Sequence, residues 1–343
     1  MININLALQG GGAHGAFTWG VLCRLLQDDD INFAAISGTS AGAMNAAALK
    51  SGWVANGRAG AIENLDWLWT QIGAITDPMF TPWMGALTPT AEIWAKALEY
   101  SPLYSAFDLT TRLMSPYVYG PTMRNPLERI VNEFKYDAVC ASEGPDLHIC
   151  ATNVRSGKIR VFTEDEIMPE VIMASACLPS LFQAVEFADP KTGQVEAFWD
   201  GGYTGNPALY PLFASNLPDD VLIVNINPLY REALPTDSQS IQNRINEISF
   251  NSSLLRELRA IAFVKRLIAD DTIQQGKMKD VLVHMIADDD LMNTLNVATK
   301  SIPTPVILAR LKEAGQAAAD RFLHDHKDDL GKQSTVDLAE MFS

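Results

Sequence analysis

Gly38-Thr39-Ser40-Ala41-Gly42 is the stretch of this sequence that decides the fold. It follows an apolar run, Phe33-Ala34-Ala35-Ile36, that is typical of a strand, and the small residues from Ala41 to Leu49 predict a helix packed closely on a sheet. A Gly-x-Ser-x-Gly segment between a strand and a helix is the pattern of a nucleophile elbow. We therefore expect Ser40 to adopt a strained backbone conformation in a sharp turn, with glycines on both sides that leave room for it.

A second glycine-rich stretch, Gly10-Gly11-Gly12-Ala13-His14-Gly15, stands upstream in the same kind of position. The apolar run Ile4-Asn5-Leu6-Ala7-Leu8 before it predicts a strand, and helical spacing extends from about Ala13 to Leu26 after it. An order of strand, helix, strand, helix predicts a parallel sheet with right-handed crossovers. We interpret the two glycine-containing stretches as parts of a single site.

An acyl-transfer site needs a nucleophile, a base and hydrogen-bond donors for the developing oxyanion. Ser40 is the candidate nucleophile. The candidate donors are the backbone N–H groups of Gly10, Gly11, Gly12 and Ala41. A base is less evident among the five histidines, which stand in the glycine stretch, in predicted strands and in a charged carboxy-terminal segment: His14, His148, His284, His324 and His326.

The composition of the chain restricts which partners it can bind and in which cellular compartment we expect it. The 343 residues, 48% of them hydrophobic, are enough for one large core or two modest ones. A formal net charge of -15 argues against nucleic acid as a partner, because binding phosphate backbones needs basic patches. Four cysteines without CxxC spacing predict free thiols in a reducing compartment. We find no signal-peptide pattern and no uncharged apolar run of about 18 residues, so we expect a cytoplasmic protein without a transmembrane helix.

The pattern changes between Gly52 and about Tyr119. Five of the seven tryptophans fall in this part of the chain, at positions 53, 67, 69, 83 and 94, together with several methionines and prolines. We predict an irregular helical insertion, about 53–125, over the carboxyl ends of the strands. Two interpretations stay open: a cap that lines an acyl-chain groove or touches a lipid surface, and the ordinary core of a helical subdomain.

The remaining elements follow from apolar patterns. We predict hairpins over 147–152 with 158–162 and over 183–187 with 195–199, a short helix near 168–176, buried strands over 221–226 and 281–286, a long helix over 241–262 and a carboxy-terminal helix over 307–322. The second hairpin leads directly into Asp200-Gly201-Gly202. By itself, Asp-Gly-Gly is also the composition of an ordinary turn.

Three pieces of the sequence together resemble the patatin-like phospholipase family: Gly10 to Gly15, Gly38 to Gly42, and Asp200-Gly201-Gly202. Their order and spacing resemble the family as well, and so does Ala174-Ser175-Ala176-Cys177-Leu178-Pro179. The resemblance extends over roughly residues 4–230. It implies a three-layer α/β fold, in which a mostly parallel central sheet lies between helices and carries a helical insertion.

The resemblance also implies a catalytic Ser–Asp dyad without a catalytic histidine. Ser40 is then the nucleophile and Asp200 the base that takes its proton, and partial desolvation is expected to raise the pKa of Asp200 above the value of about 3.9 that aspartate has in water. The motif glycines that shape the site are Gly15, Gly38, Gly42, Gly201 and Gly202. The resemblance implies neither a metal nor a cofactor.

The function implied is that of a lipid acyl hydrolase of the phospholipase A or esterase type, acting through an acyl-Ser40 intermediate. Its partner is a lipid or acyl-ester substrate, with peripheral contact at a membrane as a further expectation. We expect a catalytic domain over residues 1–290 and a helical extension over 291–343 packed on it. The sequence gives no indication of the oligomeric state.

One position departs from the family pattern. His14 stands where members often carry Lys or Arg, and a neutral histidine holds a phosphate headgroup less well than a fixed cation does. His14 is therefore a candidate for substrate binding when protonated, or a residue that packs at the start of the helix.

Three other functions compete with hydrolysis. An alcohol in place of water would make the same site an acyltransferase, and an inactive site would leave a lipid-binding protein. Gly10-x-Gly12-x-x-Gly15 also fits a dinucleotide-binding fingerprint. That motif needs an acidic residue at the end of the second strand, where this chain has Gly38-Thr39-Ser40 instead.

Overall fold

The computed structural model of the chain describes residues 1–75, 114–119, 125–232, 234–236, 238–274 and 276–342. One mixed sheet organises these residues, and its strands follow the apolar runs of the sequence. The strands are β1 (Ile2–Leu8), β2 (Ile31–Thr39), β3 (Asp146–Asn153), β4 (Ile159–Thr163), β5 (Val185–Ala188), β6 (Val195–Asp200), β7 (Asp220–Val224) and β8 (Leu282–Ile286).

The sheet has a parallel centre and an antiparallel side. Hydrogen-bonded pairs link the strands in the order β5-β6-β3-β2-β1-β7-β8, and β4 pairs with β3 outside this path. β1 pairs in parallel with β2 and with β7, and the β2–β3 and β7–β8 pairs are parallel as well. The pairs of β3 with β4, β3 with β6 and β5 with β6 are antiparallel. The predicted parallel sheet and both predicted hairpins are therefore confirmed.

Helices cover both faces of this sheet. They are α1 (Gly15–Leu25), α2 (Ala41–Ala74), α3 (Pro116–Tyr119), α4 (Leu127–Asn132), α5 (Tyr136–Val139), α6 (Pro169–Ser175), α7 (Ser238–Ala269), α8 (Asp289–Thr294), α9 (Val297–Ser301), α10 (Pro305–His326) and α11 (Leu338–Met341). Short 3-10 helices cover Gly12–His14, Glu164–Glu166, Gly201–Tyr203, Tyr210–Phe213 and Lys327–Asp329.

Strand β7 shows the three layers directly. Leu222 and Val224 belong to a core formed with α1, α2 and α10, whereas Val221 and Ile223 belong to a second core formed with α7 and α11. Alternate side chains of a strand point to opposite faces, so a continuous apolar run is what a strand buried on both sides requires. The expected three-layer α/β fold is confirmed.

Helix α2 is longer than the sequence suggested. The prediction ended it at Leu49, but it continues to Ala74 through a kink at Asn56 and Gly57, where Gly57 has a φ of 56°. A Cβ on Gly52 would lie 2.1 Å from the carbonyl oxygen of Gly60. The glycines that looked like the end of the helix instead let its two halves pack against each other across the kink.

Only part of the predicted insertion can be compared with the structure. Trp53 lies on α2 before the kink, and Trp67 and Trp69 lie on it after the kink. Trp83 and Trp94, with the rest of 76–113 and 120–124, lie outside the described residues. The extent of the insertion and the division of the chain at residue 290 therefore stay predictions.

Candidate active site

Ser40 occupies the turn between β2 and α2 in the strained conformation that the sequence predicts. Its φ is 55° and its ψ is -120°, values that residues with a side chain rarely adopt. A Cβ on Gly42 would lie 2.1 Å from the carbonyl oxygen of Leu8, so only glycine fits at that position. The backbone N–H of Ser40 donates to Oγ of Ser175, 2.9 Å away. The turn is thus held both by close backbone packing and by a buried hydroxyl.

The register of β3 brings Asp200 to this turn. Some residues of β3 pair with both β2 and β4, so these two strands lie on opposite edges of β3. Other residues of β3 pair with both β4 and β6, so β6 also lies on the edge opposite β4. β2 and β6 therefore share one edge of β3 and meet there end to end. Thr39, the last residue of β2, is opposite Cys150, and Asp200, the last residue of β6, is opposite Ala151.

Asp200 is a nearly fully buried carboxylate, with 1% of its surface exposed. Its Oδ1 accepts a hydrogen bond from the N–H of Gly202 at 2.7 Å, whereas Oδ2 has no partner at full hydrogen-bond geometry within the described part of the chain. Burial raises the pKa of Asp200 to about 7, against the opposing effects of the Gly202 N–H and the Ser40 hydroxyl. The expected rise in the pKa is confirmed, and it makes this carboxylate a stronger base than an exposed one.

The glycine loop, residues 10–12 after β1, contributes two of its three glycines to the cavity at Ser40. Gly11 and Gly12 line that cavity together with Ala41. The N–H of Gly10 instead donates to Oδ1 of Asn206 at 2.6 Å, so this predicted oxyanion donor is already engaged. A Cβ on Gly10 would lie 2.6 Å from Cβ of Ser40. Close packing against Ser40 therefore accounts for the glycine at position 10.

Buried amides that the sequence did not single out hold this loop in place. Nδ2 of Asn227 donates to the carbonyl oxygen of Gly10 at 2.8 Å. Oε1 of Gln9 accepts hydrogen bonds from the backbone of Ile226 and of Asn227. Asn206, Asn227 and Ser175 belong to no pattern that marks them in the sequence, although Ser175 lies in the segment that resembles the family.

His14 does not line the described cavity. It is buried, its Nε2 lies 2.8 Å from Oγ1 of Thr299, and its Nδ1 has no partner within the described residues. Burial holds the pKa of His14 well below the usual value, and the charges of Lys300 and Arg231 add to this effect. A neutral imidazole packed at the start of the first helical segment is the arrangement that results.

The other histidines also lie apart from Ser40. His148 is on β3 and His284 on β8, where its Nε2 lies 2.9 Å from Oδ1 of Asp220. His324 is exposed and His326 lies beside Asp329 on the carboxy-terminal helix. None of them is among the described residues that line the cavity.

The cavity at Ser40 has a volume of about 620 Å³ and a largely apolar lining. Trp69, Ile72 and Ile75 reach it from the end of α2, in the region predicted as an insertion. Trp53 and Trp67 instead pack on Phe33 and Phe134. Within the described ranges, no cluster of acidic, histidine or cysteine side chains could hold a metal ion. No described helix is long and apolar enough to cross a membrane.

Comparison with known proteins agrees with this geometry. The family model of patatin-like phospholipases matches residues 6–223. The chain therefore belongs to the patatin-like phospholipase family, whose members are lipid acyl hydrolases. The matched range includes both glycine stretches, Ser40 and Asp200, and ends before α7 and α9.

Other comparisons add little. The chain is similar to the crystal structure of VipD from Legionella pneumophila, with a TM-score of 0.42 and 16% sequence identity, over 94% of this chain and 67% of that one. No curated protein sequence matches it.

Proposed function

We propose that this protein cleaves carboxylic esters of lipids through an acyl-Ser40 intermediate, with Asp200 as the base. The observation that supports this most is the end-to-end meeting of β2 and β6, which sets a buried carboxylate beside a strained serine. Family membership supports a lipid substrate. The proposal includes a cytoplasmic protein with peripheral contact at membranes, where such substrates lie.

Acylation begins when Asp200 takes the proton of the Ser40 hydroxyl and Oγ attacks the ester carbonyl carbon. The carbonyl oxygen becomes an oxyanion, for which we propose the N–H groups of Gly11, Gly12 and Ala41 as donors. These three residues line the cavity, and Ala41 begins α2, where the helix dipole favours negative charge. The ester C–O bond then breaks, and the departing alcohol takes the proton from Asp200.

Deacylation repeats these steps with water in place of the serine. Asp200 takes a proton from the water, whose oxygen attacks the acyl carbon, and the bond to Ser40 Oγ breaks. The proton returns to Ser40 and the fatty acid leaves. If an added alcohol competes with water, a new ester forms, so product analysis separates hydrolysis from acyl transfer.

Labelling with a fluorophosphonate tests the nucleophile. We expect one adduct by intact mass on the wild type and on Ser252→Ala, a control that removes a hydroxyl from α7 outside the cavity lining, and none on Ser40→Ala. An adduct retained on Ser40→Ala would overturn the assignment. A wild type that stays unlabelled would favour a catalytically silent lipid-binding protein.

A further inference from the structure

Helix α7 carries three large aliphatic side chains on its outer surface. Ile241, Ile245 and Ile248 are 42%, 52% and 55% exposed, and spacings of four and three residues place them on one side of the helix. Apolar side chains that are exposed singly are common, whereas a contiguous exposed group marks a surface that meets a partner. We call these three residues the isoleucine stripe.

The isoleucine stripe adjoins the mouth of the cavity. Gln242 and Asn246 of the same helix are exposed and also line the cavity, so they lie at its rim. Ile245 is a neighbour of both on the helix surface or along the chain. Phe250 continues this wall of the cavity, and its ring centroid lies 5.3 Å from that of Tyr203, another lining residue. A partner seated on the stripe would therefore lie beside the opening of the cavity.

The same side of α7 carries positive charge. Arg256 and Arg259 are exposed, and each follows one isoleucine of the stripe by eleven residues, which is about three turns of helix. Arg266 is exposed as well. Over residues 240–269, all of which the structure describes, no exposed position carries a carboxylate. The outer side of α7 is therefore apolar near the cavity and basic farther along.

The two acidic residues of α7 are engaged elsewhere. The carboxylate of Glu247 is buried and accepts hydrogen bonds from Arg231 and Arg244. Oε2 of Glu257 accepts the backbone N–H groups of Leu209 at 2.9 Å and of Tyr210 at 2.7 Å. Neither carboxylate is placed to neutralise the arginines of the outer side.

The charge of this surface indicates what covers it. The whole chain has a formal net charge of -15, so a basic surface is a local exception. An anionic lipid surface complements both of its features, because isoleucines insert between headgroups and arginines attract anionic headgroups. A second copy docked through the same surface would set arginines against arginines, since a two-fold interface brings identical patches together.

We propose that α7 docks the protein on an anionic lipid surface, with the isoleucine stripe inserted among the headgroups and Arg256, Arg259 and Arg266 paired with their negative charges. Docking in this orientation sets the rim residues Gln242 and Asn246 beside the lipid. This inference rests on the proposed function and adds to it the surface through which the protein reaches its substrate.

Vesicle binding without turnover tests the isoleucine stripe. We would sediment Ser40→Ala with vesicles of phosphatidylcholine, with and without phosphatidylglycerol, and repeat this with Ile241→Ser/Ile245→Ser/Ile248→Ser added. We expect Ser40→Ala to bind the anionic vesicles and the added substitutions to weaken binding about 10–100-fold, because the apolar contacts are lost. Val195→Ser, which removes an aliphatic side chain that is 62% exposed on β6, is the control and should bind like its parent.

The arginines are tested separately. Arg256→Gln/Arg266→Gln should weaken binding to the anionic vesicles about tenfold, because each arginine near such a surface contributes to attraction that salt screens. Arg259 is kept, because its guanidinium lies over the ring of Phe342 and helps to hold α11. Lys158→Gln/Lys332→Gln removes two exposed lysines outside α7 and should leave binding unchanged. Equal losses in both double variants would mean that only overall charge matters and would overturn the role of α7.

Three further outcomes would overturn the docking surface. The first is a wild type that binds neither kind of vesicle, and the second is stripe variants that bind as tightly as their parent. The third is a dimer, seen by light scattering, that the stripe substitutions dissociate, since a second copy would then cover the stripe. If the triple variant does not fold, Ile245→Glu places one charge in the middle of the stripe and serves in its place.

Kinetics separate this inference from the proposed function. On a short-chain ester that is monomeric in solution, the triple variant should keep the kcat/KM of the wild type. On the same ester group in anionic vesicles its rate should fall about tenfold or more, in step with binding. Equal losses on both substrates would overturn docking. Binding that depends on the stripe, without hydrolysis of any ester, would contradict the proposed function and leave the docking surface in place.

Discussion

The proposed site combines a region built from backbone with a region built from side chains. Around Ser40 the determining features are a positive φ and glycines without room for a Cβ. On the side of α7 and α9 they are mainly polar side chains, outside the range that matches the family. The proposed chemistry therefore depends on local backbone geometry, whereas the polar side of the cavity depends on packing between distant parts of the chain.

The two regions should also respond differently to substitution. A change near Ser40 alters the reacting atoms and should lower kcat on every ester. A change among the side chains that α7 and α9 contribute to the cavity leaves the reacting atoms in place and should act mainly through KM.

The largest effect is expected for Asp200→Asn, which removes the proton acceptor. Its kcat on a neutral short-chain ester should fall by roughly 10²–10⁴-fold, the range for loss of a general base. The folded state should not suffer, because Asn keeps an acceptor for the Gly202 N–H and removes a charge that is costly to bury.

The pH dependence of its stability gives a second measurement on Asp200→Asn. Because the pKa of Asp200 is raised in the folded state, the ionised carboxylate disfavours folding above pH 7, and this penalty disappears as the pH falls towards 4. The gain in Tm over the wild type should therefore be larger at pH 8 than at pH 5. Activity within tenfold of the wild type would place the base elsewhere, and Asp219→Asn, an exposed carboxylate, is the control.

Activity should titrate with Asp200 when the substrate carries no charge. Because Asp200 must be ionised to accept a proton and its pKa is about 7, kcat/KM should fall about tenfold per pH unit below pH 6. A profile of kcat/KM from pH 5 to 9 on a neutral ester makes this measurement. A flat profile would show that a carboxylate with an ordinary pKa, or no carboxylate, is involved.

Ser175→Ala should have a smaller effect on the same region. It removes the hydroxyl that accepts a hydrogen bond from the N–H of Ser40. That N–H is then buried without this partner, so the turn is held less firmly. We expect kcat to fall about tenfold with KM unchanged, which corresponds to the loss of one buried hydrogen bond. Ser37→Ala removes a buried hydroxyl on β2 that donates to Ala208, and it should lower Tm without lowering kcat. Equal losses of kcat in Ser175→Ala and Ser37→Ala would mean that Ser175 has only a structural role.

The smallest effect on activity is expected for His14→Ala. The substitution leaves Thr299 without its imidazole partner and should lower the free energy of unfolding by about 1–3 kcal/mol, with kcat changed by less than about fivefold. His284→Ala, which breaks the contact with Asp220 far from the cavity, should lower stability alone. Loss of activity in either variant, with the fold intact, would contradict the Ser–Asp dyad and indicate a Ser–His site instead.

Patterns along the chain were sufficient for the strands and for the elbow. The strands, both hairpins and the long helices follow apolar periodicity, and the strain at Ser40 follows from a Gly-x-Ser-x-Gly segment between strand and helix. The end of α2 was mispredicted because Gly52, Gly57 and Gly60 usually interrupt helices. Here two of them meet across a kink, a contact that depends on the folding of the helix on itself.

The sequence by itself determined the order of strands and helices and the nucleophile turn at Ser40, because both depend on residues that are neighbours along the chain. The three-layer class and the candidate status of Asp200 came from the resemblance of three motifs to a known family. Only the tertiary structure decided that β2 and β6 meet on one edge of β3, that the N–H of Gly10 is engaged by Asn206, and that Lys300 lines the cavity. These features depend on strand register and on contacts between residues far apart in sequence. The spacing of residues along the chain does not specify such contacts, because they form only when the whole chain packs.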